Sequence, residues 1–263
     1  MRIVSLVPSV TDTLAVLGAG DAVVGVTDYC VCGAPPTARR VGGTKNPAVD
    51  EIVALAPDVV VANAEENRAA DLDALRAAGL DVRVTYPKTV PDVAGLLVEL
   101  AELIGADATL LVDELDAATA DVGPRRPALQ IAALTLIWRK PWMGLGPDTY
   151  ADDLLQRCGL VNVLAGWQDR YPRLDPALVL APEVILLPSE PYAFGENDLT
   201  AVHALLGPLP HRFVDGQLLT WHGHRTAQAL RTFTALATAV ADERDAGPPP
   251  ASRCVRGLGS RRR

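Results

Sequence analysis

Two closely spaced pairs of metal-ligating side chains are the residues of this chain with the most direct chemical potential. Cys30 and Cys32 are separated by one residue, and so are His222 and His224 much further along the chain. Thiolate and imidazole groups are the ligands that zinc and related divalent metals take in proteins. The two pairs therefore predict a metal site. The alternative for each pair is non-ligating: two small loop residues, and two histidines at the junction of a loop and a helix.

Acidic side chains extend this candidate site. The carboxylates of Glu65 and Glu66 would give a metal a mixed set of nitrogen, oxygen and sulphur ligands, or would contact a ligand or partner. The alternative is that both residues occupy the first turn of the following helix, where the helix dipole favours acids. Lys45 is one of only three lysines in an arginine-rich chain and is a further candidate for ligand binding.

Trp138 and Arg139 form an aromatic and cationic edge at the end of a predicted strand. Such a pair can stack on a flat ligand and hold its carboxylates, whereas the alternative is a strand end with one buried tryptophan. The sequence contains no nucleophile elbow, phosphate-binding loop or paired-histidine metalloprotease motif. It therefore predicts a binding protein and not an enzyme.

Short apolar runs alternate with stretches of helical period, which is typical of α/β layers with parallel sheets. The predicted strands are Arg2–Leu6, Ala22–Thr27, Asp58–Ala62, Val82–Tyr86, Gln130–Trp138, Glu183–Leu187, His211–Val214 and Leu218–Trp221. The predicted helices are Val10–Leu17, Asp50–Leu55, Asn67–Ala78, Tyr150–Cys158, Asp175–Leu180 and Gly223–Glu243. Because ligands bind beyond the carboxyl ends of parallel strands, we expect the polar loops there to line one cleft. Those loops are Tyr29–Cys32, Asn63–Asn67, Arg139–Gly144, Ser189–Asn197 and His222–His224, and they add Asn63 and Glu190 to the candidates.

One internal repeat organises the chain. Leu55-Ala56-Pro57-Asp58-Val59 recurs as Leu180-Ala181-Pro182-Glu183-Val184, which predicts two similar, Rossmann-like α/β lobes with parallel-rich sheets and a ligand cleft between them. Apolar residues at helical spacing within Pro91–Val122 predict a rigid backbone helix that joins the lobes and that Gly105 can interrupt. The predicted domains are residues 1–90, the connector 91–123, residues 124–246, and a disordered basic tail, 247–263.

Charge excludes several partners. The 263 residues carry 24 basic and 32 acidic side chains, and five of the arginines lie in the tail. The remaining body is acidic, which disfavours nucleic acid. No apolar run is long enough to predict a membrane span. The N-terminus has neither a signal-peptide core nor a lipobox, so the chain as written predicts a cytoplasmic protein, whereas a start further upstream would make it extracytoplasmic. We expect a monomer.

Several segments resemble a known family in their order and spacing. They are Arg2-Ile3-Val4-Ser5-Leu6-Val7-Pro8-Ser9, Val23–Cys30, Arg40–Asn46 and Ile52–Val60. Together they resemble the helical-backbone (class III) ABC-transporter substrate-binding proteins, which include receptors for vitamin B12, haem, siderophores and metals. Ile137–Met143 and Ser189–Phe194 resemble a narrower group, the helical backbone metal receptors, which commonly have Cys-x-His where this chain has Cys30-Val31-Cys32.

The resemblance implies a solute-binding protein that serves an ABC permease. The implied ligands are cobalamin, haem, an iron-siderophore or a divalent metal, with no tightly required cofactor. Tyr29 and Tyr171 match aromatic positions that line the cleft in the vitamin B12 receptors. Asp50 and Asp175 lie at matching positions of the repeat and are the implied contacts to permease arginines.

Two other functions remain open from the sequence. One is an intracellular chaperone or sensor for a metal chelate. The other is an enzyme that acts on a small metal-bound ligand through Glu66, His222 and Cys30.

Overall fold

The computed structural model describes residues 1–123, 129–175 and 180–246. The strands are β1 (Ile3–Ser5), β2 (Val23–Val26), β3 (Arg39–Arg40), β4 (Gly42–Gly43), β5 (Asn46–Pro47), β6 (Val59–Asn63), β7 (Val82–Thr85), β8 (Ile131–Arg139), β9 (Trp142–Gly144), β10 (Leu160–Asn162), β11 (Val184–Pro188) and β12 (His211–Val214). The α-helices are α1 (Pro8–Val16), α2 (Val49–Ala54), α3 (Ala69–Ala77), α4 (Val90–Ile104), α5 (Thr109–Val122), α6 (Tyr150–Arg157), α7 (Leu199–Leu206), α8 (Gly216–Thr220) and α9 (Thr226–Ala246).

The N-terminal lobe contains β1–β7 and α1–α3. Its main sheet has the order β3-β2-β1-β6-β7, and every pair of neighbours in it is parallel. Side chains alternate between the two faces of a strand, so Ile3 and Val59 face one core while Val4 and Val60 face another. The central strands β1 and β6 are fully buried and mostly apolar, as parallel strands covered on both faces are, whereas the edge strand β3 consists of two exposed arginines.

The C-terminal lobe contains β8–β12 and α6–α9. Its sheet has the parallel order β10-β8-β11-β12, and β9 folds back antiparallel against the far end of β8. Alternation again separates the faces: Ile131 and Leu186 enter one core, and Leu134 and Ile185 enter the other. The predicted fold class, two α/β lobes with parallel sheets, is thus confirmed.

The connector is two helices, where one backbone helix was predicted. Gly105 has φ +69° and ends α4, because a residue without Cβ adopts this left-handed conformation at little cost. Helix α4 itself joins the lobes. Its Leu96 and Leu100 pack into the N-terminal core, while Val93 and Leu97 pack into the C-terminal core. Helix α5 packs through Leu115, Ala118 and Val122 into the C-terminal core beside α9.

One predicted strand is wrong, and two predicted segments lie outside the described residues. Leu218–Trp221 is mostly part of α8, because the Asp215 carboxylate accepts hydrogen bonds from the backbone N–H groups of Gln217 and Leu218 and so starts a helix. Most of the predicted helix Asp175–Leu180 and the whole tail 247–263 fall outside the described ranges. Within those ranges no helix has both the length and the apolarity needed to cross a bilayer.

Candidate ligand-binding cleft

The carboxyl ends of both parallel sheets face the space between the lobes. From the N-terminal lobe come the loops that follow β1, β2, β6 and β7, and from the C-terminal lobe those around 146–148, 169–173 and 189–191 and the segment 221–225. Side chains from the two lobes touch directly across this cleft. Lys88 forms an ion pair with Asp148 at 2.6 Å, and three further contacts involve Glu65, Asp12 and Asn63.

An ion pair of Arg170 with Glu65 forms the first contact. The guanidinium lies 2.9 Å from one carboxylate oxygen and 3.2 Å from the other, and the Tyr171 hydroxyl donates to the same carboxylate. Arg170 also donates to the Tyr86 hydroxyl at 2.9 Å and to the Asp148 carbonyl oxygen at 2.8 Å. Burial, together with the Glu65 carboxylate, raises the pKa of Tyr171, so its phenol stays a proton donor.

Asp12 of α1 forms the second contact. Its carboxylate accepts from Arg225 at 2.6 Å and lies 3.5 Å from Nε2 of His224. Burial lowers the pKa of His224 in spite of the attraction of Asp12. The backbone of Gly223 lies against Thr13, where a Cβ would come within 2.3 Å of the Thr13 hydroxyl. Residues 223–225 are therefore pressed against α1.

Asn63 and His222 form the third contact. The Asn63 side-chain oxygen accepts from the backbone N–H groups of Glu65 and Glu66, at 2.8 and 3.2 Å. Its amide nitrogen consequently faces His222, 3.4 Å from Nε2. His222 is buried, with its ring packed edge-on against Tyr150, and burial lowers its pKa to about 4. The imidazole is therefore neutral at pH 7.

Glu66 and Glu190 are two partly buried acidic groups of the cleft that have no ion pair among the described residues. Burial raises the pKa of Glu66 to about 7, and the charges of Glu65 and Glu190 act in the same direction against Lys45. Burial likewise raises the pKa of Glu190. Helix α3 begins only at Ala69, so Glu65 and Glu66 are loop residues and do not belong to its first turn.

Lys45 holds this loop in place. Its ammonium donates to the Glu65 carbonyl oxygen, and the Asn67 amide donates to the Thr44 carbonyl oxygen at 2.9 Å. The β4–β5 hairpin and the loop after β6 are thereby tied together on the N-terminal side of the cleft.

The predicted metal site is not assembled. Within the described ranges, no three His, Cys, Asp or Glu side chains are grouped so that they could hold a metal ion. The Cys30 thiol is buried 3.2 Å from the hydroxyls of Thr11 and Thr27, and burial raises its pKa. Cys32 instead faces Gln217 of the other lobe at 4.0 Å. His222 and His224 have the separate partners given above.

Trp138 and Arg139 do not join the cleft contacts. Arg139 forms an ion pair with Asp198, and Trp138 packs edge-on against Tyr192, so their partners belong to the C-terminal lobe. The cause is the β8–β9 hairpin, which carries the end of β8 beyond its parallel neighbours. A contact of Arg139 with the ligand therefore stays a prediction, whereas Arg170 and Arg225 are arginines that reach the opposite lobe.

The remaining candidates are exposed. Tyr29 follows β2 and is 62% exposed, and Asp50 lies in the first turn of α2. Asp175 is exposed at the edge of a described range. These positions are compatible with the predicted ligand and permease contacts and do not test them.

Sequence analysis missed the contact between Arg170 and Tyr86 across the cleft. Arg170 was visible only as part of Arg170-Tyr171-Pro172, next to a residue already chosen. Tyr86 was taken as the last residue of a strand.

Comparison with known proteins identifies the family. The model of the family described as periplasmic binding protein matches residues 3–189. The vitamin B12-binding protein of Vibrio cholerae serotype O1 is 26% identical over 208 residues, which span 74% of this chain and 72% of that protein. The vitamin B12-binding protein of Yersinia pestis is 26% identical over 200 residues, 71% of this chain and 69% of that protein.

Solved structures share the fold. The periplasmic vitamin B12-binding protein BtuF of Vibrio cholerae aligns with a TM-score of 0.77 at 21% identity, covering 92% of this chain and 98% of that one. The periplasmic haem-binding protein RhuT from Roseiflexus sp. RS-1 aligns with a TM-score of 0.76 at 24% identity and the same coverage. Both likenesses extend over both lobes.

Proposed function

Since this chain belongs to the periplasmic binding protein family, we propose that it is the solute-binding component of an ABC importer and that its solute is a metal chelate. The observation that carries the proposal is the meeting of two parallel sheets across one cleft, with Glu65, Arg170 and Tyr171 in contact between them. Loops at the carboxyl ends of parallel strands are where such sheets bind ligands.

The chelate we favour is a corrinoid. Relatives named vitamin B12-binding proteins align with about three quarters of the chain, which supports this class of ligand. Tyr86 and Tyr171 are partly exposed beside the cleft and offer aromatic faces to a flat ring. Glu66 and Glu190 have no ion pair among the described residues, and their pKa values are raised, so each disfavours a ligand rich in negative charge once it is deprotonated. A neutral corrinoid therefore suits the cleft better than haem with its two propionates.

The setting follows from the same proposal. The relatives and structural neighbours are named as periplasmic proteins, which favours the extracytoplasmic alternative over the cytoplasmic expectation. Asp50 and Asp175, one in each half of the repeat, are the acidic positions that we propose for contact with permease arginines.

Native mass spectrometry with elemental analysis, on protein purified from its own host, tests the proposal. We expect one chelate bound to each chain. The amount of metal found by elemental analysis should match the metal content of the chelate whose mass is added to the protein. Incubation should return that chelate unchanged, which also tests the enzyme alternative. A ligand without metal, or conversion of the bound chelate into another compound, would overturn the proposal.

A further inference from the structure

The first turn of α1 lies at the lobe interface and contains hydrogen-bond donors that have no acceptor among the described residues. Within the described residues, the backbone N–H groups of Ser9 and Val10 have no partner, and α1 has no side-chain cap. The Ser9 hydroxyl likewise has no partner in the part of the chain that the structure describes, and Ser9 is only 3% exposed. A buried donor without an acceptor costs about 1–3 kcal/mol. Several such groups on one helical turn therefore indicate a binding site for a hydrogen-bond acceptor.

His222 adds a fourth donor. The orientation of the Asn63 amide is fixed, because its oxygen accepts from the N–H groups of Glu65 and Glu66. The Asn63 nitrogen therefore donates toward Nε2 of His222, which must be the unprotonated nitrogen of the neutral ring. The proton is on Nδ1, which is buried and has no hydrogen-bond partner on any other described residue, and His222 is 6% exposed.

The two sets of donors lie at one junction of the lobes. Gly223, the residue after His222, packs so closely on α1 that a Cβ there would come within 3.7 Å of the Ser9 carbonyl oxygen. The segment that carries His222 thus runs alongside the first turns of α1. All of the unpaired N–H groups donate, the serine hydroxyl can do so, and the helix N-terminus contributes partial positive charge.

We propose that this junction, formed by Ser9, Val10 and His222, is a subsite for one oxygen atom of the bound chelate. The inference rests on the proposed function, because the oxygen belongs to the solute of the cleft. Its chemistry is that of a hydrogen-bond acceptor, which is either a neutral amide carbonyl, as on the rim of a corrinoid, or a carboxylate, as in a haem propionate. The unpaired Glu66, whose N–H shares the Asn63 oxygen, favours the neutral carbonyl.

Two substitutions test the subsite, and a third is their control. Ser9→Ala removes the hydroxyl, and His222→Phe removes Nδ1–H while keeping a ring of similar size. Thr234→Val is matched to Ser9→Ala, because it also removes a buried hydroxyl but does so in the C-terminal core. Calorimetric titration of each protein with cyanocobalamin, haemin and ferrichrome gives the affinities, and thermal melting of the ligand-free proteins gives their stability.

We expect wild type to bind cyanocobalamin, and Ser9→Ala and His222→Phe each to weaken that binding about fivefold or more. Thr234→Val should bind as wild type does. Ligand-free Ser9→Ala should melt at or above the wild-type temperature, because an unsatisfied group has been removed. If haemin is the only chelate that binds, and the two substitutions weaken its binding, the oxygen belongs to a carboxylate and the favoured neutral carbonyl is wrong.

Two results would overturn the subsite alone. One is wild-type affinity in Ser9→Ala, which would mean that a water molecule satisfies the donors. The other is a fall of several degrees in the melting temperature of ligand-free Ser9→Ala, which would mean that the hydroxyl has a structural partner. If wild type binds none of the three chelates, the proposed function fails and the subsite fails with it. Ser9→Ala decides the question by itself if His222→Phe does not fold.

Discussion

Arg170 of the C-terminal lobe contacts both carboxylate oxygens of Glu65, 105 positions earlier in the chain and in the other lobe. Each side chain keeps about a quarter of its surface exposed. Ion pairs with this much solvent contribute little, typically below about 1 kcal/mol. The lobes are therefore held together on this side by this pair and by the more exposed pair of Lys88 with Asp148, polar contacts that a ligand or a small change in conditions can separate.

Arg170→Ala should loosen the closed arrangement without unfolding the protein. We expect the free energy of unfolding to fall by about 0.5–1 kcal/mol and the radius of gyration in small-angle X-ray scattering to increase. Arg231→Ala is the matched control, since Arg231 pairs with Glu114 at 2.8 Å between two helices that both pack into the C-terminal core. An equal increase in radius for both variants would show that the Arg170 contact does not hold the lobes.

Glu66→Gln should change how stability depends on pH. Glu66 has its pKa raised from an ordinary value near 4.5 to about 7, so between these values the folded chain keeps a proton that the unfolded chain has lost. The free energy of unfolding of wild type should therefore carry a term that falls as pH rises from about 5 to 7.5, by at most about 3 kcal/mol.

Urea unfolding of wild type and Glu66→Gln at several pH values measures this term as the difference between the two proteins. His222, whose lowered pKa destabilises the fold as pH falls below 6.5, is present in both proteins and cancels in that difference. Glu99→Gln, at an exposed position on α4, is the control. Parallel curves for wild type and Glu66→Gln would contradict the burial of an unpaired carboxyl.

The two loop cysteines should differ in reactivity. With Cys254→Ser as background, we expect a disulfide reagent such as dithionitrobenzoate to modify Cys32 in the native protein. Cys30 and Cys158 should react only on unfolding, because both are fully buried and burial raises the pKa of each thiol. Added Zn²⁺ should leave the rate of Cys32 modification unchanged. Protection of Cys32 by zinc would show that the predicted metal site forms, contrary to the structure.

Helix α4 should be the element whose core residues matter to both lobes. Leu97→Ala should lower the free energy of unfolding by about 2–4 kcal/mol, since Leu97 is 1% exposed in the core that α4 shares with the C-terminal lobe. Val98→Ala, at a position 42% exposed on the same helix, should cost under about 0.5 kcal/mol. Similar losses for the two variants would contradict the assignment of α4 as the joining helix.

The sheets were predictable because their determinants are local. β1, β6, β8 and β11 are short β-branched or leucine-rich runs bounded by turn residues, and the repeated Leu-Ala-Pro segment places β6 and β11 at equivalent positions. Leu218–Trp221 has the same apolar composition. It forms a helix because Asp215, three residues earlier, caps the chain there, and the apolar run alone does not reveal this.

The cleft contacts were not predictable in the same way. Glu65 was correctly expected in the loop after β6, whereas Asn63 is the last residue of β6 and His222 follows α8. The partners of all three residues depend on how the two lobes meet. Arg139 and Arg170 have similar sequence surroundings, each near an aromatic residue and a proline. Only the fold shows that the β8–β9 hairpin places Arg139 against Asp198, whereas Arg170 pairs with Glu65.

Calorimetric titration of cyanocobalamin into the wild-type protein and into a variant with a blocked cleft tests the central claim most directly. Glu66→Trp places a large ring on the loop after β6, and Glu102→Trp, on the exposed side of α4, is its control. We predict one binding site for each chain in wild type and in Glu102→Trp, and a loss of at least tenfold in affinity in Glu66→Trp. Equal affinity in all three proteins, or no binding by wild type, would contradict the claim that this cleft holds a corrinoid.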